Sequence, residues 1–209
     1  MLRAFLYIFS FLIFSAVVCP AQQTKTVTTT TSDPASVSLE SLFSQADLVA
    51  FVEIRSGDAE NYNHALYKTA VLKSYKGAKQ NDVIYFAPFI GYAVGGEYLV
   101  FLRKTDKRIG DIIDENSKNK TLPYDATQNF YSIMYEGYSI MPVSFECVFE
   151  EPSHQICQYA VKFNISQVIL SNKLKTFPQE DGDSKILNVK YVKRKIIEPI
   201  LENLRDKRK

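Results

Sequence analysis

Four short apolar runs between Asp47 and Arg103 constrain the fold more than any other feature of this sequence. Each run is rich in Val, Ile, Tyr and Phe and has the length of a β-strand: Leu48–Ile54, Leu66–Tyr75, Val83–Phe89 and Tyr98–Leu102. The breaks between the runs carry turn residues: Ser56-Gly57-Asp58, Lys76-Gly77, Asn81-Asp82 and Gly95-Gly96. Consecutive short strands joined by tight turns predict an antiparallel meander that curls into a barrel or a sandwich. The last run is continuously apolar, so we expect it to be the central strand.

The composition supports one folded domain that is mainly β. The chain has 209 residues, and hydrophobic residues make up 46% of it, which is enough for a core. Its 13 Tyr and 14 Phe favour strands, because flat rings pack well on a pleated surface. Basic and acidic residues are nearly matched and the net charge is only +2, so the sequence does not predict a nucleic-acid partner.

Residues 1–21 have the three parts of a secretory signal peptide. Arg3 supplies the positive start, Leu6–Val18 is an almost unbroken apolar stretch, and a small residue, Ala21, precedes the expected cleavage point. A secreted or periplasmic location follows. The alternative is a lipoprotein in which Cys19 is acylated and retained, and only in that case do we expect the protein at a membrane.

The rest of the chain predicts a tether and then one domain. Residues 22–37 are Thr-rich without an apolar pattern and indicate a flexible tether, while residues 38–209 are expected to fold together. Ser38–Gln45 predicts a short helix capped by its first residue. Residues 104–129 form a polar insertion that we expect at the surface, and residues 189–205 show the apolar spacing of a C-terminal helix.

Three further strand-like runs follow the insertion: Phe130–Met134, Tyr138–Phe149 and Ile156–Phe163. Cys147 and Cys157 flank the segment 150–154, which has the composition of a hairpin tip. In an exported protein the natural interpretation of such a pair is a disulfide that spans the hairpin. Two free thiols or an exchange-active pair are the alternatives.

The four central runs resemble a known family. They read QADLVAFVEI, YKTAVLKSYKG, NDVIYFAPF and GGEYLVFLRK, and they are similar to the netrin-like module of tissue inhibitors of metalloproteinases and its bacterial secreted relatives. This resemblance covers about a quarter of the chain. It implies a barrel of the oligonucleotide/oligosaccharide-binding (OB) type: a curled antiparallel barrel of five strands, partly open and flanked by helices.

One departure from the family concerns its inhibitory chemistry. In the eukaryotic inhibitors a Cys at the mature N-terminus places its amine and carbonyl on the zinc of the protease. Here the early Cys is Cys19, within the predicted signal peptide, and no Cys lies between Pro20 and Glu146. The resemblance therefore implies the fold but not inhibition by zinc chelation.

The sequence offers little catalytic or metal-binding chemistry. It lacks a nucleophile-elbow motif, a phosphate loop and a dinucleotide-binding glycine pattern, so we expect neither an enzyme nor a cofactor. The two histidines, His64 and His154, have no further ligand at metal-binding spacing, and we expect no metal site. Tyr85, Phe86 and Tyr92 could stack on sugars or bases if they lie exposed on a barrel face, but core packing is the better interpretation for most of them.

These observations predict a secreted or periplasmic, non-enzymatic binding module with an OB-like fold. Its binding surface would be the barrel face together with the insertion at residues 104–129, and its partner would be a protein or an envelope ligand. Two alternatives are a protease inhibitor that acts through an exposed loop and a cell-envelope structural protein, lipid-anchored at Cys19.

Overall fold

Five strands close into a barrel at the centre of the molecule. The structure is a computed structural model, and it describes residues 36–61, 64–87, 91–111, 126–135, 138–151, 154–171, 174, 176–177 and 189–207. The predicted signal peptide, Cys19 and the tether up to residue 35 lie outside the described residues. The described part belongs to one compact unit, Asp33–Lys209.

The elements in chain order are β1 (Val37–Ser38), α1 (Leu39–Gln45), β2 (Leu48–Asn61), β3 (His64–Lys76), β4 (Val83–Ala87), β5 (Glu97–Arg108), a 3-10 turn (Ile109–Asp111), β6 (Asn129–Ile133), β7 (Ile140–Glu151), β8 (His154–Asn164), β9 (Val168–Ile169), β10 (Thr176–Phe177), β11 (Val189–Lys193) and α2 (Arg194–Asp206). Each of the seven predicted β runs coincides with one strand from β2 to β8. The main differences are extensions at the strand ends, because β2 runs on to Asn61 and β5 to Arg108.

The barrel has the strand order β2–β3–β4–β6–β5 and closes through pairing of β5 with β2. Its neighbours are antiparallel except for β4 and β6, which are parallel. The expected OB-like barrel with flanking helices is confirmed.

β5 belongs to the barrel and to a sheet that extends from it. Its first residues, from Glu97 to Val100, pair with β7, whereas Leu102 to Lys104 pair with β6. The extension continues from β7 through β8 and β11 to β10. The predicted central strand is confirmed, because β5 contacts β2, β6 and β7.

The alternation of side chains along β2 explains why its sequence is apolar on both faces. Leu48, Ala50 and Val52 point into the barrel, whereas Val49 and Phe51 point to a second core beneath the two helices. All five are fully buried. A strand covered on both sides reads as a continuous apolar run rather than an alternating one.

The predicted N-terminal helix is confirmed as α1. The Ser38 hydroxyl accepts a hydrogen bond from the Ser41 backbone N–H at 3.1 Å, which caps the first turn. Leu39, Leu42 and Phe43 are buried against the second core. Packing rather than helix propensity holds so short a helix.

The predicted C-terminal helix begins five residues later than expected. Residues 189–193 form β11, which pairs antiparallel with β8, and α2 starts at Arg194. The segment VKYVK combines β-forming valine and tyrosine with lysine, so it fits a strand as well as a helix, and pairing with β8 decides between them. Ile197 and Leu201 then bury the apolar face of α2.

Ion pairs fix α2 to the barrel. Glu198 contacts Lys73 of β3 at 2.9 Å and Arg194 at 2.8 Å, and Arg194 also contacts Glu97 of β5 at 2.9 Å. Burial alone would raise the pKa of the Glu198 carboxyl, but hydrogen bonds from Lys73 and Arg194 outweigh it and hold this pKa below its usual value. This side of the barrel is therefore occupied by the helix.

Beyond the sheet, β7 and β8 continue as a two-stranded ribbon. In the described residues, β5 pairs with β7 only up to Val143 and β11 pairs with β8 only from Ala160. Cys147 and Cys157 lie opposite each other in the ribbon, with Cα atoms 4.0 Å apart, and they form a disulfide. The expected disulfide across a hairpin is thus seen, and it holds a ribbon that would be marginal alone.

We expect the double variant Cys147→Ser, Cys157→Ser to lose about 2–3 kcal/mol of unfolding free energy, because the crosslink restricts the unfolded chain. Urea denaturation with and without dithiothreitol measures this loss. The wild type should lose stability in the reductant, whereas the double variant serves as the control that should not respond. Equal stability of the wild type in both conditions would contradict the expectation.

Candidate ligand-binding cleft

The barrel closes incompletely at the seam between β4 and β6. Among the described residues, parallel pairing there covers two register positions, Phe86 with Tyr131 and Ala87 with Ser132. If this register continued, residues 83–85 would pair with residues 128–130, but no pairing is present there. A cleft of about 620 Å³ opens at this point, and we call it the seam cleft.

The walls of the seam cleft come from both ends of the polar insertion that the sequence predicted. Lys104 pairs with Tyr131, whereas the next pair of the ladder joins Arg108 to Asn129, so β5 bulges between these positions. The bulge and the start of β6 supply the polar lining: Lys104, Thr105, Asp106, Thr127, Gln128 and Asn129. Residues 112–125, the middle of the insertion, lie outside the described residues.

Aromatic and aliphatic side chains form the base of the seam cleft. Tyr85 and Phe130 line it and belong to a small core with Leu66, Ala87 and Ile109. Both rings are buried in this core, so they support the cleft from beneath and expose little surface to a ligand. Tyr131 also lines the cleft and is half-buried.

Two aspartates and one lysine are the charged residues that line the described part of the seam cleft. Asp82 and Asp106 line it together with Lys104. Burial, and then the charges of Asp47 and Asp82, raise the pKa of the Tyr131 hydroxyl. Asp47 is anchored next to the cleft, because its carboxylate accepts a hydrogen bond from the Lys104 backbone N–H at 2.8 Å. Two carboxylates and one ammonium therefore line the cleft, and a third carboxylate lies beside it.

The structure separates the three aromatic residues that the sequence proposed as a binding face. Phe86 is fully buried inside the barrel, where its ring stacks on Tyr67 with centroids 5.2 Å apart. Tyr85 is only 5% exposed, so it can present no more than an edge to the seam cleft. Tyr92 is half-buried and lies with Tyr67 and Phe86 over the barrel interior. The prediction of a shared stacking face is wrong for Phe86 and Tyr85, because successive side chains of β4 point into two different cores.

The sequence did not single out Asp47, Asp82 or Tyr131 as site residues. Asp47 stands at the entrance to β2, and Asp82 precedes β4, where its carboxylate accepts a hydrogen bond from the Lys79 backbone N–H at 2.7 Å. Both look like turn residues in the sequence. Their approach to Tyr131 depends on the long-range closure of the barrel, which no local pattern indicates.

The described residues hold neither a cluster of metal-ligating side chains nor a membrane-spanning helix. No group of three or more His, Cys, Asp or Glu side chains there could hold a metal ion. The side chains of His64 and His154 are outside the part that can be described. No helix among the described residues is long and apolar enough to span a bilayer.

Comparison of this chain with known protein families, with curated proteins and with solved structures found no match.

Proposed function

We propose that this chain is an exported, non-enzymatic binding module and that its ligand occupies the seam cleft. The cleft carries the proposal, because it is the place where the ends of the polar insertion meet the open side of the barrel. Hydroxyl, amide and carboxylate groups line it together with the partly exposed ring of Tyr131. Such a lining suits hydrogen bonding and contact with one ring, which are the chemistry of recognition.

The charge of the seam cleft narrows the class of ligand. Among the residues that line the cleft, the carboxylates of Asp82 and Asp106 are countered by Lys104 alone, so the lining carries one net negative charge. A nucleic acid would be repelled, whereas an uncharged glycan or a cationic peptide would not. We therefore propose a polar ligand that is neutral or positively charged.

Export is part of the proposal and derives from residues 1–21 alone. The netrin-like relationship likewise derives from the four central runs of the sequence. Both stay predictions, and the seam cleft does not depend on either of them.

Titration calorimetry with three probes tests the proposed ligand class. The probes are a neutral N-acetylated oligosaccharide, a short oligolysine and an oligothymidylate of similar length. We expect the oligosaccharide or the oligolysine to bind the wild-type protein and the oligothymidylate not to bind. The variants Tyr131→Ala and Asp106→Asn should weaken the binding of the bound probe about tenfold, because they remove a ring contact and a charge-assisted hydrogen bond.

Glu40→Gln is the matched control. Glu40 is an exposed carboxylate on α1 and does not line the seam cleft, so its loss should leave affinity unchanged. Binding of oligothymidylate alone, or equal affinity in the wild type and both cleft variants, would refute the proposal.

The ribbon favours a second candidate function, a protease inhibitor that acts through a loop. A disulfide rigidifies the ribbon, and a loop held in its bound conformation loses less entropy on binding. Inhibition of a protease that survives Tyr131→Ala and Asp106→Asn but disappears on reduction of the disulfide would favour this candidate over the seam cleft.

A further inference from the structure

The backbone edge of β4 faces the seam cleft. The Val71 N–H donates a hydrogen bond to the Asp82 carbonyl at 2.9 Å, and the Thr69 hydroxyl donates to the Ile84 carbonyl at 3.1 Å. Both carbonyls therefore point to β3. Backbone groups alternate in direction along a strand that is paired antiparallel. The N–H and C=O groups of Val83, the residue between the two carbonyls, consequently point away from β3 and toward β6.

The facing wall of the cleft is arranged in the same way. The Ile109 N–H donates to the Gln128 carbonyl at 2.8 Å, so this carbonyl points to β5. By the same alternation, the N–H and C=O groups of the next residue, Asn129, point away from β5 and toward β4. Among the described residues, β4 and β6 pair only beyond this point, so these groups of Val83 and Asn129 are not used between the two strands.

Both of these residues are accessible. Val83 is 48% exposed, Asn129 is also exposed, and both line the cleft of about 620 Å³. N–H and C=O groups at the open edge of a strand are a template on which a further strand can pair. An extended polypeptide presents matching groups on each of its edges at a repeat of about 6.6 Å, the length of two residues, whereas a sugar ring has no such repeat.

The charges at the cleft favour a basic segment. Asp82 and Asp106 line the cleft together with Lys104, and Asp82 directly precedes Val83 in the sequence. A strand added along β4 would therefore bring its own side chains next to a carboxylate. A lysine or arginine of the ligand gains a charge-assisted hydrogen bond there, whereas an acidic side chain is repelled.

We propose that the seam cleft binds an extended basic peptide segment, which adds to the barrel as a strand between β4 and β6. This inference rests on the proposed function, because it names the ligand of the same cleft. The backbone groups of Val83 and Asn129 hold the main chain of the peptide, and Asp82 and Asp106 select its basic side chains.

The first test compares two peptides on the full-length wild-type protein by titration calorimetry. One is a heptapeptide of alternating lysine and threonine with blocked ends, since threonine favours an extended chain. The other has the same sequence with every backbone nitrogen methylated, so it keeps the charges and side chains but has no backbone donor. We expect the first peptide to bind with a dissociation constant below about 1 mM and the methylated one at least tenfold more weakly.

Amide hydrogen exchange followed by NMR locates the added strand. Saturating peptide should slow exchange of the Val83 and Asn129 amides at least tenfold, because each gains a hydrogen bond. The Ile84 amide is the internal reference. It points to β3 like its own carbonyl, so its exchange should change by less than about threefold.

A proline substitution removes the Val83 N–H. Val83 is the first residue of β4 and its N–H does not point to β3, so Val83→Pro leaves the β3–β4 pairing in place. We expect it to lower the affinity for the peptide at least tenfold. Val94→Pro is the matched control. Val94 does not line the cleft and occupies the second position of a turn closed by the Gly96 N–H and the Ala93 carbonyl, where proline is favoured.

The proposal is overturned if the methylated peptide binds as tightly as the unmethylated one, or if the peptide binds without slowing exchange at Val83 and Asn129. Both comparisons use only the wild type, so they decide the matter even if Val83→Pro fails to fold. Binding of the neutral oligosaccharide without binding of the peptide would overturn this inference and leave the proposed function standing. If neither ligand binds, both proposals are wrong.

Discussion

Replacing Gly77 by alanine is expected to lower the unfolding free energy by about 3 kcal/mol, more than the same change at the other glycines that the structure describes. Gly77 has a φ of +80°, which an L-residue with a side chain adopts only under strain. An added Cβ would lie 2.0 Å from the backbone oxygen of Asp47, which is far inside contact distance. The space that the added Cβ would need is filled by backbone atoms, and these cannot move away as the end of a flexible side chain could.

Urea denaturation and thermal melting measure this loss, which corresponds to a fall in melting temperature of roughly 10 °C for a chain of this size. Comparison with Gly95→Ala separates the cost of the positive φ from the cost of the contact with Asp47. Gly95 has a φ of +82°, but no atom lies within 4 Å of a Cβ added there. We expect that variant to lose only about 1 kcal/mol. Equal losses in the two variants would show that the contact with Asp47 contributes nothing.

The position of Gly77 also links the turn to the seam cleft. Asp47 receives a hydrogen bond from the Lys104 backbone N–H, and its own N–H donates to the Leu102 carbonyl at 2.8 Å. Displacing Asp47 would therefore disturb β5 at the residue where the cleft wall begins. Gly77, which the sequence identifies only as a turn residue, thus helps to position the charged Asp47 next to the seam cleft.

The local pattern of the sequence predicted the strands well because they are made of β-forming side chains and most are bounded by turn residues. The break predicted at Ser56-Gly57-Asp58 was wrong, because these residues continue β2 and pair with β3. The pairing of distant strands that closes the barrel could not be predicted from such local patterns. The seam between β4 and β6 depends on Phe86 meeting Tyr131, residues separated by the whole of β5 and the polar insertion. The carboxylates near Tyr131 follow from that closure, so the electronegative character of the cleft became visible only in three dimensions.

For the polar insertion at residues 104–129, in contrast, the local sequence was a good guide. Its polarity correctly placed Lys104, Asp106 and Thr127 at the surface, where they line the cleft. The sequence was least informative about the roles of aromatic residues, because a ring in a core and a ring on a binding face look the same in a sequence. Burial separates the two, and in a barrel with cores on both sides of its strands most rings are buried.

Replacing Phe86 by alanine should therefore act on stability and not directly on ligand contact. Its ring is fully buried between Tyr67 and Tyr92, with centroids 5.2 and 5.9 Å away. Removing it leaves a cavity in the barrel interior, and we expect a loss of about 4 kcal/mol in urea denaturation.

Phe145→Ala is the matched control, because it removes the same ring from the ribbon, where Phe145 is 60% exposed. It contacts Tyr159 there at a centroid distance of 5.2 Å, and its removal should lose about 1 kcal/mol at most. The ratio between the two losses measures how far the barrel interior, rather than aromatic content as such, holds the fold. If Phe86→Ala proved as mild as Phe145→Ala, the interior would have to be loosely packed, and Phe86 would again be a candidate for a ring that turns outward to meet a ligand.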